Sequence, residues 1–278
     1  MGVIDIEKSI RESNSEFLKK LPKFIIRIIS KIIYEKRMNE YLAITDGLEG
    51  VDFHNKIIEL MDIKIHAEGL HNLPERPHCF FFANHPFGVL DGLVLTKTVL
   101  DKYHDFRAIG NEAFKYVPNL RKYVMMVNVY GSTSRKYVEE LEKIYESDMP
   151  ITHFPAGLVS RFINWKVQDI EWKKSFISKA VSCKRDLVPF YFEGHNSWLF
   201  YFVSTFRRMI GIKLTLELAL LPHEFFNKKG RTVHVIIGKP ISWQVFDNRF
   251  SHHEWAQKVR EHLYKMGKSG NPDLEFTF

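Results

Sequence analysis

Apolar residues recur at two different periods along the chain, and the changes between those periods mark its elements. Residues 1–20 mix charged and apolar positions without a clear period, as in a short helix or a loose start. From Leu21 the pattern sharpens. Leu21, Phe24, Ile25, Ile28, Ile29, Ile32 and Ile33 share one helical face, and Lys20, Lys23, Arg27 and Lys31 another. Pro22 suits the first turn of this helix, where its missing N–H costs nothing. Residues 36–60 predict one or two further short helices. Strand and helix patterns then alternate. Strands are expected over Met61–Leu70, Cys79–Ala83, Phe106–Ile109, Val124–Tyr130, Ile151–Phe154, Leu187–Phe192, Leu214–Leu221 and Thr232–Ile237. Helices are expected over Leu90–His104, Ser134–Ser147, Trp172–Cys183 and His253–Met266, the second capped by Ser132 or Thr133. Such alternation predicts an α/β fold with a largely parallel or mixed central sheet flanked by helices. A helical segment over 1–60 precedes one domain over 61–278, because no Gly-, Pro- or Ser-rich linker interrupts the latter.

Composition narrows the partners. Forty basic against thirty-three acidic residues give a net charge of +7, which favours anionic partners. The basic residues are dispersed and no recognition motif accompanies them, so nucleic acid is not expected. The basic amphipathic stretch at 21–33 instead has the composition of a helix that lies in the headgroup layer of an anionic membrane. Packing of the same isoleucines on the domain core is the alternative. Only Cys79 and Cys183 are present, which argues against a disulfide framework. With neither a secretory leader pattern nor an apolar run of about 18 residues, the expected location is cytoplasmic, peripheral on the inner face of the cell membrane.

The densest chemistry lies in Phe80-Phe81-Phe82-Ala83-Asn84-His85-Pro86-Phe87-Gly88-Val89-Leu90-Asp91-Gly92. An apolar strand stops at a polar pair and a turn, and a helix follows. A neutral His85 at that junction, with the Asp91 carboxylate holding its Nδ1 proton, has the parts of a general base that deprotonates a hydroxyl. A satisfied turn histidine and an ordinary helix-capping aspartate are the structural alternatives. Gly88 and Gly157 fit turns, and a glycine also lets backbone N–H groups approach an oxyanion. Absent are a Gly-x-Ser-x-Gly elbow, a Walker loop and a dinucleotide fingerprint. His223-Glu224 and His252-His253-Glu254 lack matching ligands, so no metal is expected.

Asn84-His85-Pro86-x-Gly88-x-x-Asp91-Gly92 resembles the first motif of the lysophospholipid acyltransferase superfamily, and most of all its haemolysin-labelled, ornithine-lipid acyltransferase branch. Phe154-Pro155-Ala156-Gly157-x-x-Ser160-Arg161 is similar to the third motif and Val188-Pro189 to the fourth. Gly110–Pro118, with Glu112 and Phe114, resembles a degraded second motif, and Ile237-Gly238-Lys239-Pro240-Ile241 matches a string common near the end of these enzymes. The resemblance implies transfer of a fatty acyl chain from acyl carrier protein or acyl-CoA, as donor substrate with no bound cofactor, to a lysolipid hydroxyl. It implies His85 and Asp91 as catalytic residues and Asn84, Gly88, Gly157, Ser160 and Arg161 as substrate-binding residues. Arg161 would grip an acceptor anion with its planar fork. The chain departs from the pattern in three places. Five residues, not four, separate His85 from Asp91, Ala156 replaces the usual Glu, and Val127-Asn128-Val129 stands where an arginine is usual. These departures favour an amino-acid lipid as acceptor over lysophosphatidic acid. Two rival readings remain: a membrane-binding or haemolysin-like protein without acyl transfer, and a hydrolase in which His85 activates water. Phe192–Lys213, with Trp198, Phe200, Tyr201, Phe202 and Phe206 beside Arg207 and Arg208, reads either as core with a solvated edge or as a membrane-interface segment.

Overall fold

The computed structural model of the chain describes residues 4–13, 16–110, 117–126, 135–211 and 215–278. Five helices come first: α1 (Ile6–Arg11), α2 (Glu16–Lys19), α3 (Lys23–Ile32), α4 (Glu35–Ile44) and α5 (Gly50–Met61). Then follow β1 (Lys64–Glu68), β2 (Cys79–Ala83), α6 (Val89–Tyr103), β3 (Arg107–Gly110), β4 (Val124–Met126), α7 (Arg135–Glu146) and β5 (Ile151–His153). The chain continues through β6 (Arg161–Ile163), β7 (Lys166–Gln168), α8 (Ser175–Ser182), β8 (Asp186–Phe192) and α9 (Trp198–Met209). It ends with α10 (Leu221–Phe226), β9 (Thr232–Ile237) and α11 (His252–Ser269).

Among the described residues, seven strands form one mixed sheet in the order β1-β9-β8-β2-β5-β3-β4, and β6 and β7 form a separate hairpin. All neighbours in the large sheet run parallel except β8 and β9. The expected α/β class with a mixed sheet is therefore the observed one. β2 shows why the sheet must be covered on both sides. Its five residues are all buried, with Cys79, Phe81 and Ala83 pointing to one core and Phe80 and Phe82 to the other. The first core is closed by α5, through Phe53, Ile57 and Met61, and by α6. The second is closed by α8, by α11 and by Trp172. Phe80 and Phe82 pair with Ile151 and His153 of β5, and with Leu187 and Pro189 of β8. β8, β2 and β5 thus end at the same edge of the sheet, where working residues gather in folds of this kind.

Several expectations shift. Met61 closes α5, so the strand begins only at Lys64. Of the expected strand Leu214–Leu221, Leu216–Leu220 forms instead a 3₁₀ turn that runs into α10, and Leu214 lies outside the described residues. Leu, Glu and Ala favour helices, Pro222 fits a helix's first turn, and a short apolar run has no period of its own to decide the matter. The β6–β7 hairpin had no signal beyond an Asn164-Trp165 turn, whose two residues both have left-handed backbones. The expected caps Ser132 and Thr133, the rest of the Val124–Tyr130 strand, and Glu112 and Phe114 of the second motif lie outside the described residues.

Two buried polar side chains fasten helices to this frame. Arg185, fully buried at the start of β8, donates from Nε to Tyr145 O (2.7 Å) and from a terminal nitrogen to Met149 O (2.8 Å). It also donates to Ile144 O and Ser147 O, so it caps the end of α7. His54 of α5 donates from Nδ1 to Gly50 O (2.6 Å), and its Nε2 lies 2.9 Å from Thr96 Oγ1 on α6. Burial lowers the His54 pKa from 6.5 to about 4. Between those values the unfolded chain binds a proton that the folded protein does not, so stability must fall as pH drops through that window. From pH 7 to pH 5 this one residue is expected to remove about 2 kcal/mol of unfolding free energy. Urea denaturation at both pH values should show that His54→Gln loses less stability on acidification than the parent; an unchanged pH dependence would count against the assignment.

Candidate active site

β2 delivers Asn84 and His85 to the shared sheet edge, and the turn at Pro86–Gly88 then feeds α6. Gly88 has φ 88°, and a Cβ there would come within 2.8 Å of Leu221, so the turn needs a residue without one. The additional residue between His85 and Asp91 is absorbed in this turn. His85 Nδ1 lies 3.0 Å from Asp91 Oδ1, in a bent geometry short of a hydrogen bond. Catalytic contacts of this kind often tighten only when substrate binds. Asp91 is fully buried. Its Oδ2 accepts the N–H groups of Phe87 (2.9 Å) and Gly88 (3.2 Å), and its Oδ1 accepts that of Gly92 (2.8 Å). Three backbone donors at a helix N-terminus thus satisfy the buried carboxylate. A carboxylate oxygen beside Nδ1 favours the tautomer in which Nε2 is the proton acceptor. The His85 ring is partly exposed and stacks on Phe154 at the end of β5, with centroids 3.9 Å apart and planes 25° from parallel.

The residues expected to touch substrate occupy different places. Asn84 is buried, and its amide donates to Phe192 O (2.9 Å) and accepts Phe192 N–H (2.7 Å), which ties the turn to the end of β8. Ser160 is buried; its N–H donates to His85 O (2.8 Å) and its hydroxyl to Asp169 Oδ1 (2.6 Å). Gly157 has φ 68°, and its N–H closes a turn onto Phe154 O at 2.9 Å. Arg161 is buried under α9. One terminal nitrogen donates to Val159 O (2.7 Å) and the other to Glu217 Oε1 (3.0 Å). Glu217 is shared with Arg207 of α9. Burial pushes the Arg161 pKa down, against the pull of Glu217. In this structure Asn84, Ser160 and Arg161 brace the loops around His85 from behind. Ala156 is packed in the second core, so no carboxylate stands at that position.

Asp169 is a functional-site neighbour that no motif singles out. It follows β7 in a polar stretch without a motif, and only the fold carries it under the His85 turn. Its Oδ1 accepts the His85 N–H (3.1 Å) together with the Ser160 hydroxyl, and its Oδ2 accepts Trp172 Nε1–H (2.9 Å). Burial pushes its carboxyl above the ordinary range, while these three donors pull it back. The turn that carries His85 is thus held by Asp91 on one side and Asp169 on the other.

Comparison with known proteins places the chain in a family. The model of a family described as acyltransferase matches residues 8–271. The lyso-glycine lipid O-acyltransferase of Phocaeicola vulgatus is 35% identical over 266 residues, 95% of each chain. That of Bacteroides thetaiotaomicron is 34% identical over 95% of this chain and 97% of its own. Among solved structures, the crystal structure of the 1-acyl-sn-glycerophosphate (LPA) acyltransferase PlsC from Thermotoga maritima is similar at a TM-score of 0.48 and 14% identity, covering 91% of this chain and 99% of that one. With the family matched over nearly its whole length, this chain belongs to the acyltransferase family, within the lysophospholipid acyltransferase superfamily, and is an O-acyltransferase.

Proposed function

We propose that the chain transfers a fatty acyl group from a thioester to the hydroxyl of an amino-acid lysolipid, with His85 as general base. The observation that carries this reading is the placement of His85, partly exposed at the common end of β8, β2 and β5, against a buried Asp91 carboxylate. Neutral His85 accepts the acceptor's hydroxyl proton at Nε2 as the oxygen attacks the thioester carbonyl carbon. The tetrahedral intermediate collapses with cleavage of the C–S bond, and the imidazolium returns its proton to the departing sulfur. No acyl-enzyme is formed, and the charge on Asp91 stabilises the imidazolium between the two proton transfers. Two observations support an amino-acid headgroup. The two relatives at 34–35% identity are named for a lyso-glycine lipid, and Ala156 offers no carboxylate to a glycerol phosphate. Acyl carrier protein is the proposed donor, since an acidic carrier suits the +7 chain. No helix among the described residues is long and apolar enough to cross a membrane. Peripheral attachment to the inner face of the cell membrane, helped by the exposed Phe24, Ile28 and Ile32 of α3, would bring the enzyme to its acceptor.

His85→Ala is expected to lower acyl transfer by at least about 100-fold, the scale of general-base catalysis, with folding and vesicle binding retained. The assay uses labelled acyl carrier protein or acyl-CoA with lyso-glycine, lyso-ornithine and lysophosphatidic acid acceptors. Acylation of lysophosphatidic acid alone would refute the amino-acid headgroup, free fatty acid released without acceptor would indicate a hydrolase, and vesicle lysis insensitive to His85→Ala a haemolysin-like protein.

Asp169 enters as a positioning residue. Asp169→Ala strips an acceptor from the His85 N–H, the Ser160 hydroxyl and the Trp172 indole at once, at about 1–3 kcal/mol for each buried donor left unpaired. The turn should shift, and kcat should fall by up to about 100-fold, as expected for a displacement near 1 Å, with KM little changed. Asp169→Asn keeps one oxygen for the first two donors and should recover part of kcat. Loss of thermal stability without a change in kcat would show that Asp169 has no part in placing His85.

A further inference from the structure

α9 breaks the rule that a surface helix turns polar residues to water. Phe200, Tyr201, Ser204 and Arg207 face inward at helical spacing. The opposite stripe, which ought to be polar, is Trp198, Leu199, Phe202, Phe206, Met209 and Ile210. Phe202 is 65% exposed and Met209 80%, and Phe202 and Phe206 stack on each other with nothing above them among the described residues. An apolar stripe turned outward from a surface helix belongs against a partner or lipid. The inward side is already fixed by polar contacts at both ends, so the outward stripe is not a core face turned the wrong way. Ser197 caps the first turn and gives its N–H and hydroxyl to Glu224, and Arg207 pairs with buried Glu217.

The patch extends beyond the helix. Trp165, at the tip of the β6–β7 hairpin, is 89% exposed and left-handed at φ 60°, a conformation that bulky side chains avoid. It meets Phe162 edge-on at 6.2 Å, and Phe162 meets Trp198 edge-on at 5.8 Å, so the hairpin tip and α9 form one aromatic surface. Neither α9 nor the hairpin contains an acidic residue, whereas Arg208 and Lys166 stand exposed at its borders. An aromatic plane edged by cations and free of carboxylates complements an anionic lipid surface, in which indole and phenyl rings sit at headgroup level.

We infer that the α9 face and the Trp165 hairpin tip form a second membrane-docking surface, beside the active site and distinct from α3, whose occupant is an anionic lipid bilayer. The inference rests on the lysolipid-acceptor reading and deepens it by stating how the acceptor reaches His85. α9 starts within a few residues of that site: Asn196 donates to Phe87 O (3.4 Å), and a Cβ at Gly194 would come within 2.5 Å of the Phe87 ring. Docking by this face therefore sets the His85 turn at the lipid headgroups, where a lysolipid hydroxyl lies.

The test uses the full chain and the triple variant F202S/F206S/M209S, with W165S as a second variant in the hairpin. Both change exposed side chains only, and circular dichroism checks the fold. Vesicles of phosphatidylglycerol and phosphatidylethanolamine are the probe. The triple variant should bind them at least tenfold more weakly. Its acylation of vesicle-borne lyso-glycine lipid should fall in parallel, while a short-chain lysolipid below its aggregation concentration is acylated at the parental rate. Vesicle binding equal to the parent in both variants would overturn the inference. So would a parental dimer that the triple variant dissolves, since a second copy would then cover the face. If the parent binds vesicles through this face but acylates no lipid, the docking surface stands and the proposed function fails.

Discussion

Burying a carboxylate costs several kcal/mol unless hydrogen bonds offset it, and this protein buries two of them against one short turn. Asp91 is offset by three backbone N–H groups from Phe87, Gly88 and Gly92, Asp169 by the His85 N–H, the Ser160 hydroxyl and the Trp172 indole. Apart from Gly92 in the first turn of α6, those donors lie in the turn or in a loop beside it. Neither carboxylate can keep its bonds if the turn moves by an ångström, because buried donors and acceptors would then be left without partners. The energetic demand of the carboxylates is thus what fixes the imidazole in place. The same arrangement accommodates the added residue of this turn: Gly88 takes a positive φ and hands its N–H to Asp91.

The sheet was legible because its signal is repetition. β2 and β8 are continuous apolar runs, and a strand buried on both faces has no other way to be written. The His85–Asp91 pairing was legible because both residues sit in one local strand–turn–helix segment. What escaped was whatever depends on two distant segments meeting. Asp169 is an unremarkable polar residue until α8, α11 and β5 bring its loop beneath the turn. Arg161 carries the charge expected of an anion-binding residue, yet Glu217, fifty-six positions away, claims it. The run at Leu214–Leu221 misled because it is short, and its buried Glu217 answers to two arginines rather than to a strand ladder.

That shared glutamate also explains how an aromatic helix can stand against the hairpin without being swallowed by it. Arg161 begins the hairpin, Arg207 lies in the last turn of α9, and Glu217 lies in the 3₁₀ turn between α9 and α10. Three elements that make few apolar contacts with the main cores are therefore joined by one buried ionic cluster, with Phe200 beneath the Arg161 guanidinium at 5.5 Å. Breaking one member would strand the charge of the others, a penalty larger than the pair's own net worth. The cluster supplies rigidity on the inner side of α9, so Phe202, Phe206 and Met209 on the outer side stay exposed.

Rigidity there matters because α9 and His85 are joined through the end of β8. Asn84, the residue before His85, holds the last residue of β8 at both its N–H and its C=O. Two residues further on, Gly194 lies too close to Phe87 for any side chain, and Ser197 then caps α9. The path from His85 to the aromatic face is thus a hydrogen-bonded strand end and a capped helix, with no long loop to absorb displacement. A lipid surface bound to that face would stand at a fixed height relative to Nε2. An acceptor that stays in the bilayer could then present its hydroxyl without leaving it, so the selection of a lipid over a soluble alcohol would come from geometry as much as from contacts with the headgroup.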